Sequence, residues 1–180
     1  MCSDIRMLDQ LIIRLARRQD LPALEWEGEF THYRNIFREA YQRYQKGETL
    51  LWIAELGQFG LVGQAFVQLQ GTQPDLADGQ ERAYIYSIRV RPIYQNQGIG
   101  TRLLRTIEAD LVARQYRYAT LNVAKDNQSA RRLYERLGYH VVAHEAGRWS
   151  YVDHRGKRQH VHEPAWRMEK NLQEGNLAGR

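Results

Sequence analysis

The sequence contains 180 residues, of which 43% are hydrophobic and 26% are charged, a composition that indicates one domain with a hydrophobic core. Its 26 lysines and arginines exceed its 21 aspartates and glutamates, so the formal net charge is +5. A basic balance indicates an anionic partner: nucleic acid, a membrane surface or a phosphorylated small molecule. The single cysteine, Cys2, excludes an intrachain disulfide framework and a cysteine zinc site. Because no segment has the pattern of a transmembrane helix or a signal peptide, we expect a cytoplasmic protein that does not bind membranes.

The first half of the chain predicts two helices among strands that meander. The apolar run Leu11–Leu15 indicates a first strand, and Asp20 before Leu21-Pro22 offers the N-cap of a first helix. Apolar residues recur at helical spacing from Tyr33 to Tyr44, and Gly47 ends this second helix. Three further segments have the composition of strands: Leu50–Leu56, Leu61–Gln70 and Ala83–Val90.

In the second half, helices alternate with strands. Helical periodicity at Gly100–Arg114 and Asn127–Leu137 flanks a predicted strand at Tyr118–Val123. Two later segments, Trp149–Val152 and Ala165–Leu172, are expected to pair as a hairpin. A meander followed by a strand–helix–strand crossover favours an α/β (α+β) fold with a mixed sheet.

We therefore expect one domain over residues 11–172, with flexible ends at residues 1–10 and 173–180. The ends are polar and carry no periodic apolar pattern, whereas residues 11–172 hold every predicted helix and strand. No internal repeat or low-complexity tract divides this range, so the sequence indicates no second domain.

The most informative segment joins the predicted strand Ala83–Val90 to the next helix and contains the pattern Gln95-x-x-Gly98-x-Gly100. A helix start leaves backbone N–H groups unpaired, and glycine lets a phosphate approach them closely. The segment is therefore built like a phosphate or pyrophosphate cradle, although a plain tight turn would use the same glycines. It matches neither the dinucleotide-binding GxGxxG pattern nor the P-loop, since Thr101-Arg102 follows Gly100.

Together with its surroundings, this segment resembles the GNAT superfamily of acyl-CoA-dependent N-acyltransferases, from Ile12 to Leu172. The resemblance rests on the order and spacing of several motifs, namely Arg17-x-x-Asp20-Leu21-Pro22, Ile88-Arg89-Val90, the glycine pattern, Leu121-Asn122-Val123, Asn127-x-x-Ala130-x-x-Leu133-Tyr134-x-x-Leu137-Gly138-Tyr139 and Trp166-Arg167-Met168. It implies a mixed sheet of about seven strands with one splayed pair, flanked by about four helices.

The resemblance also implies acetyl-CoA as a co-substrate. Its pyrophosphate would bind the backbone N–H groups of the loop Gln95, Asn96, Gln97, Gly98, Ile99, Gly100 and Thr101. The main chain of Ile88, Arg89 and Val90 would pair with the pantetheine arm, and an N–H group near Val90 would polarise the thioester carbonyl. Asn127 would bind the same arm, cap the following helix, or do both.

For catalysis, the resemblance implies that Tyr134 is the general acid that protonates the departing thiolate. A tyrosine on this apolar helix face could instead simply pack. The general base is open, because the positions that hold glutamate in many relatives are Asn122 and Tyr84 here. The remaining candidates are a water relay or Glu25, Glu27 and Glu29, which could also contact a cationic amine beside Trp26, Phe30 and Tyr33 or form a solvated acidic run.

The sequence thus predicts an acetyl-CoA-dependent N-acetyltransferase whose acceptor amine attacks the thioester directly. The alternative is a catalytically weak or inactive CoA-binding regulatory module, because the expected carboxylates are missing. A nucleic-acid binder is disfavoured, since the basic residues cluster beside the glycine loop and no nucleic-acid motif occurs. We expect a monomer or homodimer and no metal. His160 and His162 could bind a metal together. No third ligand is evident in the sequence, although His154 lies nearby.

Overall fold

The computed structural model describes residues 8–174 of the chain. Three α-helices are present in this range: α1 (Arg34–Gln45), α2 (Ile99–Ala113) and α3 (Gln128–Arg136). The strands are β1 (Leu11–Leu15), β2 (Thr49–Leu56), β3 (Leu61–Gln68), β4 (Arg82–Val90), β5 (Tyr118–Ala124), β6 (His140–Glu145), β7 (Arg148–Val152), β8 (Arg158–His162) and β9 (Ala165–Asn171). Residues 8–10 form a helical turn, while Cys2 and most of the predicted flexible ends lie outside the described residues.

Seven strands form one mixed sheet in the order β1-β2-β3-β4-β5-β9-β6. All neighbours are antiparallel except β4 and β5, which are parallel. Their pairing runs only from Arg82–Ile85 to Tyr118–Leu121, and beyond it the two strands diverge. The predicted mixed sheet with a splayed pair is therefore confirmed.

Helices cover both faces of the sheet. α2 buries Leu103, Leu104, Ile107 and Leu111 fully against β2 to β5, as its periodicity predicts. On the opposite face, α1 packs Phe37 and Ala40 against Leu51, Ile53 and Phe66. Because both faces are covered, the residues of β2 and β3 are buried almost without interruption. Within residues 8–174, no helix is long and apolar enough to cross a membrane.

The predicted pairing of Trp149–Val152 with Ala165–Leu172 is wrong. β7 pairs with β8 in a separate two-stranded sheet, and β9 lies between β5 and β6. Asp153 explains the early reversal, because its carboxylate accepts the backbone N–H groups of Arg155 and Lys157 and forms a tight turn. β6 lacks a strand prediction because it lies at the sheet edge, where it buries little apolar surface.

The predicted first helix is a 3₁₀ segment over Arg18–Gly28. Trp26 and Glu27 have φ values of 46° and 55°, which interrupt helical geometry. Asp20 still stabilises the segment, since its carboxylate accepts the Arg17 N–H at 2.6 Å and binds Arg14. It does so from inside the first turn, whereas Arg17 occupies the N-cap position.

Candidate active site

The divergence of β4 and β5 opens a cleft of about 850 Å³ at the centre of the sheet. It brings together four residues predicted from the sequence, which are Ile88 and Arg89 of β4 and Asn127 and Tyr134 at α3. Asn122 lies on the β5 wall, and Trp149 of β7 lies at the opposite rim. The cleft is the size of a small-molecule site, and β4 lines it from Tyr84 to Arg89.

The glycine loop has the geometry that the cradle requires. Gly98 is the N-cap of α2 with φ of 87°, and Asn96 also has a positive φ of 59°. The first helical bond runs from Arg102 N–H to the Gly98 carbonyl, so the preceding amides lie outside the helical pattern. Within the described residues, no backbone N–H of residues 96–101 donates to a protein acceptor. These amides, at the positive end of the helix dipole, fit a pyrophosphate.

The backbone of Val90 faces the opening between β4 and β5. Arg91 N–H donates to the Val62 carbonyl of β3 at 2.8 Å. Because successive residues of a strand direct their N–H and C=O groups to opposite sides, those of Val90 point away from β3. The Val90 carbonyl accepts a hydrogen bond from Gln95 Nε2 at 2.8 Å. Its N–H remains directed at the cleft, where an extended ligand can pair with it as an added strand.

Tyr134 is 6% exposed and projects from α3 into the cleft. Burial raises the pKa of its phenol to about 12, so the hydroxyl is protonated throughout the neutral range. Its buried neighbour Tyr139 donates to Glu108 Oε1 at 2.9 Å, whereas the Tyr134 hydroxyl has no protein partner among the described residues. The hydroxyl is not among the buried atoms that lack a partner, so it is open to the cleft, where water or a ligand can bond to it.

Asn127 has the dual position that the sequence allowed. Its Oδ1 accepts the backbone N–H of Ala130 at 3.1 Å and so caps α3. The same residue lines the cleft. Its side-chain amide N–H groups are therefore available for a ligand while the cap is formed.

Two positions beside the splay are neutral. Burial raises the pKa of Tyr84 to about 12, and Asn122 has no ionisable group. Asn122 Oδ1 is buried and has no hydrogen-bond partner within the described residues. A buried acceptor of this kind normally holds a water molecule or a ligand donor, so this point of the cleft suits either.

The three glutamates of the 3₁₀ segment and its end do not line this cleft. Glu25 accepts hydrogen bonds from Arg34 and Thr31, and the Arg34 guanidinium lowers the pKa of its carboxyl. Glu27 accepts two hydrogen bonds from Arg91, which likewise lower its pKa. Glu29 is exposed. The first two carboxylates are therefore occupied by cations.

An aromatic wall closes the outer side of the cleft. Tyr33 lies 5.0 Å from Tyr151 and 6.5 Å from Trp149 between ring centroids. Asn35 Nδ2 donates to the Asp153 carbonyl at 2.7 Å and so holds the β7–β8 hairpin against α1. The sequence analysis did not predict this wall. The signal that could have indicated it is the alternation that places Trp149 and Tyr151 on one strand face. No group of three His, Cys, Asp or Glu side chains suited to a metal occurs in residues 8–174.

Known proteins match this chain in both sequence and structure. The family model described as "Acetyltransferase (GNAT) family" matches residues 13–139. A mycothiol acetyltransferase of Corynebacterium diphtheriae is 38% identical over 68 residues, which cover 38% of this chain and 22% of that protein. The chain thus spans about a fifth of the length of that relative.

Two solved structures have the same fold. The spermidine/spermine N-acetyltransferase of Vibrio cholerae superposes with a TM-score of 0.71 at 17% identity, covering 97% of this chain and 99% of that one. The ribosomal-protein-S18-alanine N-acetyltransferase of Escherichia coli gives 0.68 at 23% identity, covering 90% and 94%. Because the family model matches more than half of the chain, the protein belongs to the acetyltransferase (GNAT) family.

Proposed function

We propose that the protein transfers the acetyl group of acetyl-CoA directly to a primary amine held in the cleft between β4 and β5. The observation that carries the proposal is a set of three features within the described residues: the amides of residues 96–101 have no protein acceptor, the Val90 backbone points away from β3, and the Tyr134 hydroxyl in the cleft has no protein partner. They fit, in order, a pyrophosphate, an extended arm and a departing thiolate.

Each feature has a chemical role in this reaction. The amides of residues 96–101 would hold the pyrophosphate, with Gln95 fixing the loop to Val90. The Val90 N–H would pair with the arm or polarise the thioester carbonyl, where charge develops during attack. Tyr134, protonated at neutral pH, would donate a proton to the leaving sulfur. Positioning two substrates supplies much of the remaining acceleration.

Water is the proposed route for the amine proton. Glu25 is paired with Arg34, and Glu27 is paired with Arg91. Burial raises the pKa of Tyr84 to about 12, so its phenol is neutral at ordinary pH. Asn122 Oδ1 has no hydrogen-bond partner within the described residues, which supports an ordered water beside the attacking amine. We therefore expect kcat/KM to rise tenfold per pH unit up to the pKa of the amine and to shift with that pKa when the acceptor is changed. A constant inflection near pH 5 to 7 with every acceptor would point to a carboxylate or histidine base instead.

The test of the function is an acceptor screen with two readouts. Purified protein is mixed with acetyl-CoA and a panel of amines, amino acids and peptides; free CoA thiol is followed by absorbance and the acetylated product by mass spectrometry. We expect equimolar CoA and product, with no acetyl group on the protein when acetyl-CoA is added alone. An acetylated protein that forms and decays at the rate of turnover would contradict direct transfer.

A CoA-binding regulatory module is the second candidate. Two observations favour it. The positions of Asn122 and Tyr84 hold no carboxylate, and Glu25 and Glu27 are both in ion pairs. Calorimetry distinguishes the two functions, since tight acetyl-CoA binding without CoA release across the whole panel would support the module.

A further inference from the structure

The guanidinium of Arg89 lies in the cleft without a carboxylate partner. Arg89 Nη1 donates to Ser87 Oγ at 2.9 Å, and no carboxylate of the described residues lies within 4 Å of it. Its neighbour Arg91, just past the end of β4, is paired with Glu27. The hydrogen bond to Ser87 leaves most of the five guanidinium N–H donors of Arg89 for another partner.

Aromatic rings surround this cation. The Arg89 guanidinium lies 4.3 Å from the ring centroid of Phe30 and 5.2 Å from that of Tyr33. Burial lowers the pKa of Arg89, which is the sign expected for a desolvated cation without an opposite charge. Arg89 is half-buried, and cation–π contacts offset part of its desolvation, but neither supplies the opposite charge that usually accompanies such a cation. The fold therefore keeps an incompletely satisfied cation in the wall of the cleft.

Arg89 lies on the side of the sheet away from the glycine loop. The Val90 side chain faces that loop, since a Cβ on Gly100 would lie 3.8 Å from Val90 Cγ2. Adjacent residues of a strand point to opposite faces, so Arg89 faces the 3₁₀ segment and the aromatic wall. Its charge is thus separated from the place where the phosphates would bind and belongs to the half of the cleft left for the acceptor.

The other charges around the acceptor half of the cleft favour a singly charged anion over a doubly charged one. Glu29 and Glu163 approach Arg89 closely enough to act on its pKa, although both are exposed. Arg148 lines the same cleft and is also exposed. A dianionic phosphate would be repelled by the two carboxylates, whereas a single carboxylate matches the planar fork of one guanidinium.

We propose that Arg89 binds a carboxylate of the acceptor, so that the substrate is an amine that also carries a carboxylate, as an amino acid does. This inference rests on the proposed function and narrows its substrate class. The Arg89 fork would orient the carboxylate, and the amine of the same molecule would reach the thioester. Arg89 acts here as a specificity residue and takes no part in proton transfer.

The test compares acceptors that differ in the carboxylate, with kcat/KM expressed per unprotonated amine because the carboxylate also changes the amine pKa. Each amino acid is assayed beside its amide and its decarboxylated amine. We expect at least one set in which kcat/KM is about 10- to 100-fold higher for the carboxylate form, the range of a hydrogen-bonded charged group. Arg89→Gln should remove that preference while the KM for acetyl-CoA stays within about twofold. Arg89→Lys, which keeps the charge without the fork, should retain part of it.

Arg91→Gln is the matched control, because Arg91 also contacts the 3₁₀ segment, at Trp26, but is paired with Glu27. It should preserve the preference for the carboxylate form. The inference is overturned if no set shows the preference or if Arg89→Gln retains it. A phosphorylated amine preferred over every carboxylate would also overturn it.

Binding measurements separate this inference from the proposed function. Calorimetric titration of the same acceptors into CoA-loaded protein needs no turnover. Carboxylate-selective binding that Arg89→Gln abolishes, without acetyl transfer to any amine, would support the role of Arg89 and contradict the transferase function. Transfer to amines without a preference for the carboxylate form would support the transferase function and contradict the role of Arg89.

Discussion

Tyr134 and Tyr139 are neighbouring buried phenols, 6.2 Å apart between ring centroids, but within residues 8–174 only the Tyr139 hydroxyl has a protein acceptor. The contrast makes Tyr139→Phe a matched control for Tyr134→Phe. We expect Tyr134→Phe to lower kcat by about 10²- to 10⁴-fold, the usual contribution of a general acid, while the calorimetric Kd for acetyl-CoA changes by less than about threefold.

Tyr139→Phe removes the hydrogen bond to Glu108, which Lys170 still holds at 2.6 Å. Its expected effect is a loss of about 1 kcal/mol of unfolding free energy with kcat nearly unchanged. Equal kcat values for Tyr134→Phe and the wild type would remove Tyr134 from the proposed mechanism.

Glu25 gives a prediction about stability. The hydrogen bond from Arg34 lowers the pKa of Glu25, so the stabilisation is present above the ordinary glutamate pKa and is lost as pH falls through the lowered value. Because Arg34 is 39% exposed, we expect Glu25→Gln to lower the unfolding free energy by only about 0.5–1 kcal/mol at pH 7. Urea unfolding at pH 7 and pH 3 measures the difference, which should shrink at pH 3. Loss of turnover at unchanged stability would instead make Glu25 catalytic.

At the scale of single residues, the sequence predicted the candidate side chains that belong to short contiguous motifs. Tyr134 and the glycines belong to contiguous motifs; Tyr134 lines the cleft and Gly98 begins α2, while the roles of both stay predictions. The partners of Glu25 and Glu27 were not predicted, since Arg91 lies 64 residues from Glu27 along the chain. The orientation of Arg89 depends on the strand register, which sequence spacing does not give.

The loop before α2 can be tested with two glycines of similar backbone geometry. Gly98 and Gly47 have φ values of 87° and 76°; among the described residues, an added Cβ at Gly98 makes only an ordinary contact, 3.8 Å from Leu8 Cδ1, and one at Gly47 has no atom within 4 Å. Alanine at each should therefore cost about 1–2 kcal/mol of unfolding free energy through the left-handed conformation alone. We expect Gly98→Ala to weaken acetyl-CoA binding about tenfold or more and Gly47→Ala to leave it unchanged. Equal Kd values for both variants would show that the Gly98 turn does not bind the co-substrate.

Elements with strong periodicity, such as α2, were predicted almost to the residue. Apart from the first helix, which is a 3₁₀ segment, the errors occur in the last third of the chain, where short strands bury few residues. β6 is an edge strand and β8 belongs to a small separate hairpin, so neither has the apolar alternation of a buried strand. β9 pairs with both β5 and β6, and its buried Met168 lies opposite Leu121 and Val141; no local pattern encodes such long-range pairing.

For the whole molecule, the cleft joins elements from the two halves of the chain. β4 lies in the first half, whereas α2, β5 and α3 come after it. A ligand that contacts all of them should stabilise the fold as a unit. At an acetyl-CoA concentration of about 100 Kd, we expect about 2.7 kcal/mol of added stability and a rise in Tm of about 5–11 °C.

Differential scanning calorimetry measures this shift. Adenosine diphosphate, which offers a pyrophosphate without the pantetheine arm, is the control and should raise Tm by less. An equal shift with both ligands would place the whole binding energy in the glycine loop, and no shift with acetyl-CoA would contradict binding in the cleft.

The outward backbone of Val90 has a consequence for hydrogen exchange. Central strands normally exchange their amide hydrogens most slowly, because both of their edges are paired. Here Arg91 N–H is bonded to Val62, whereas the amide of Val90, one residue earlier, faces the cleft. We expect the Val90 amide of the free protein to exchange far faster than that of Arg91. Saturation with acetyl-CoA should bring the two rates together, so the sheet would acquire its missing interior protection only when the substrate is bound.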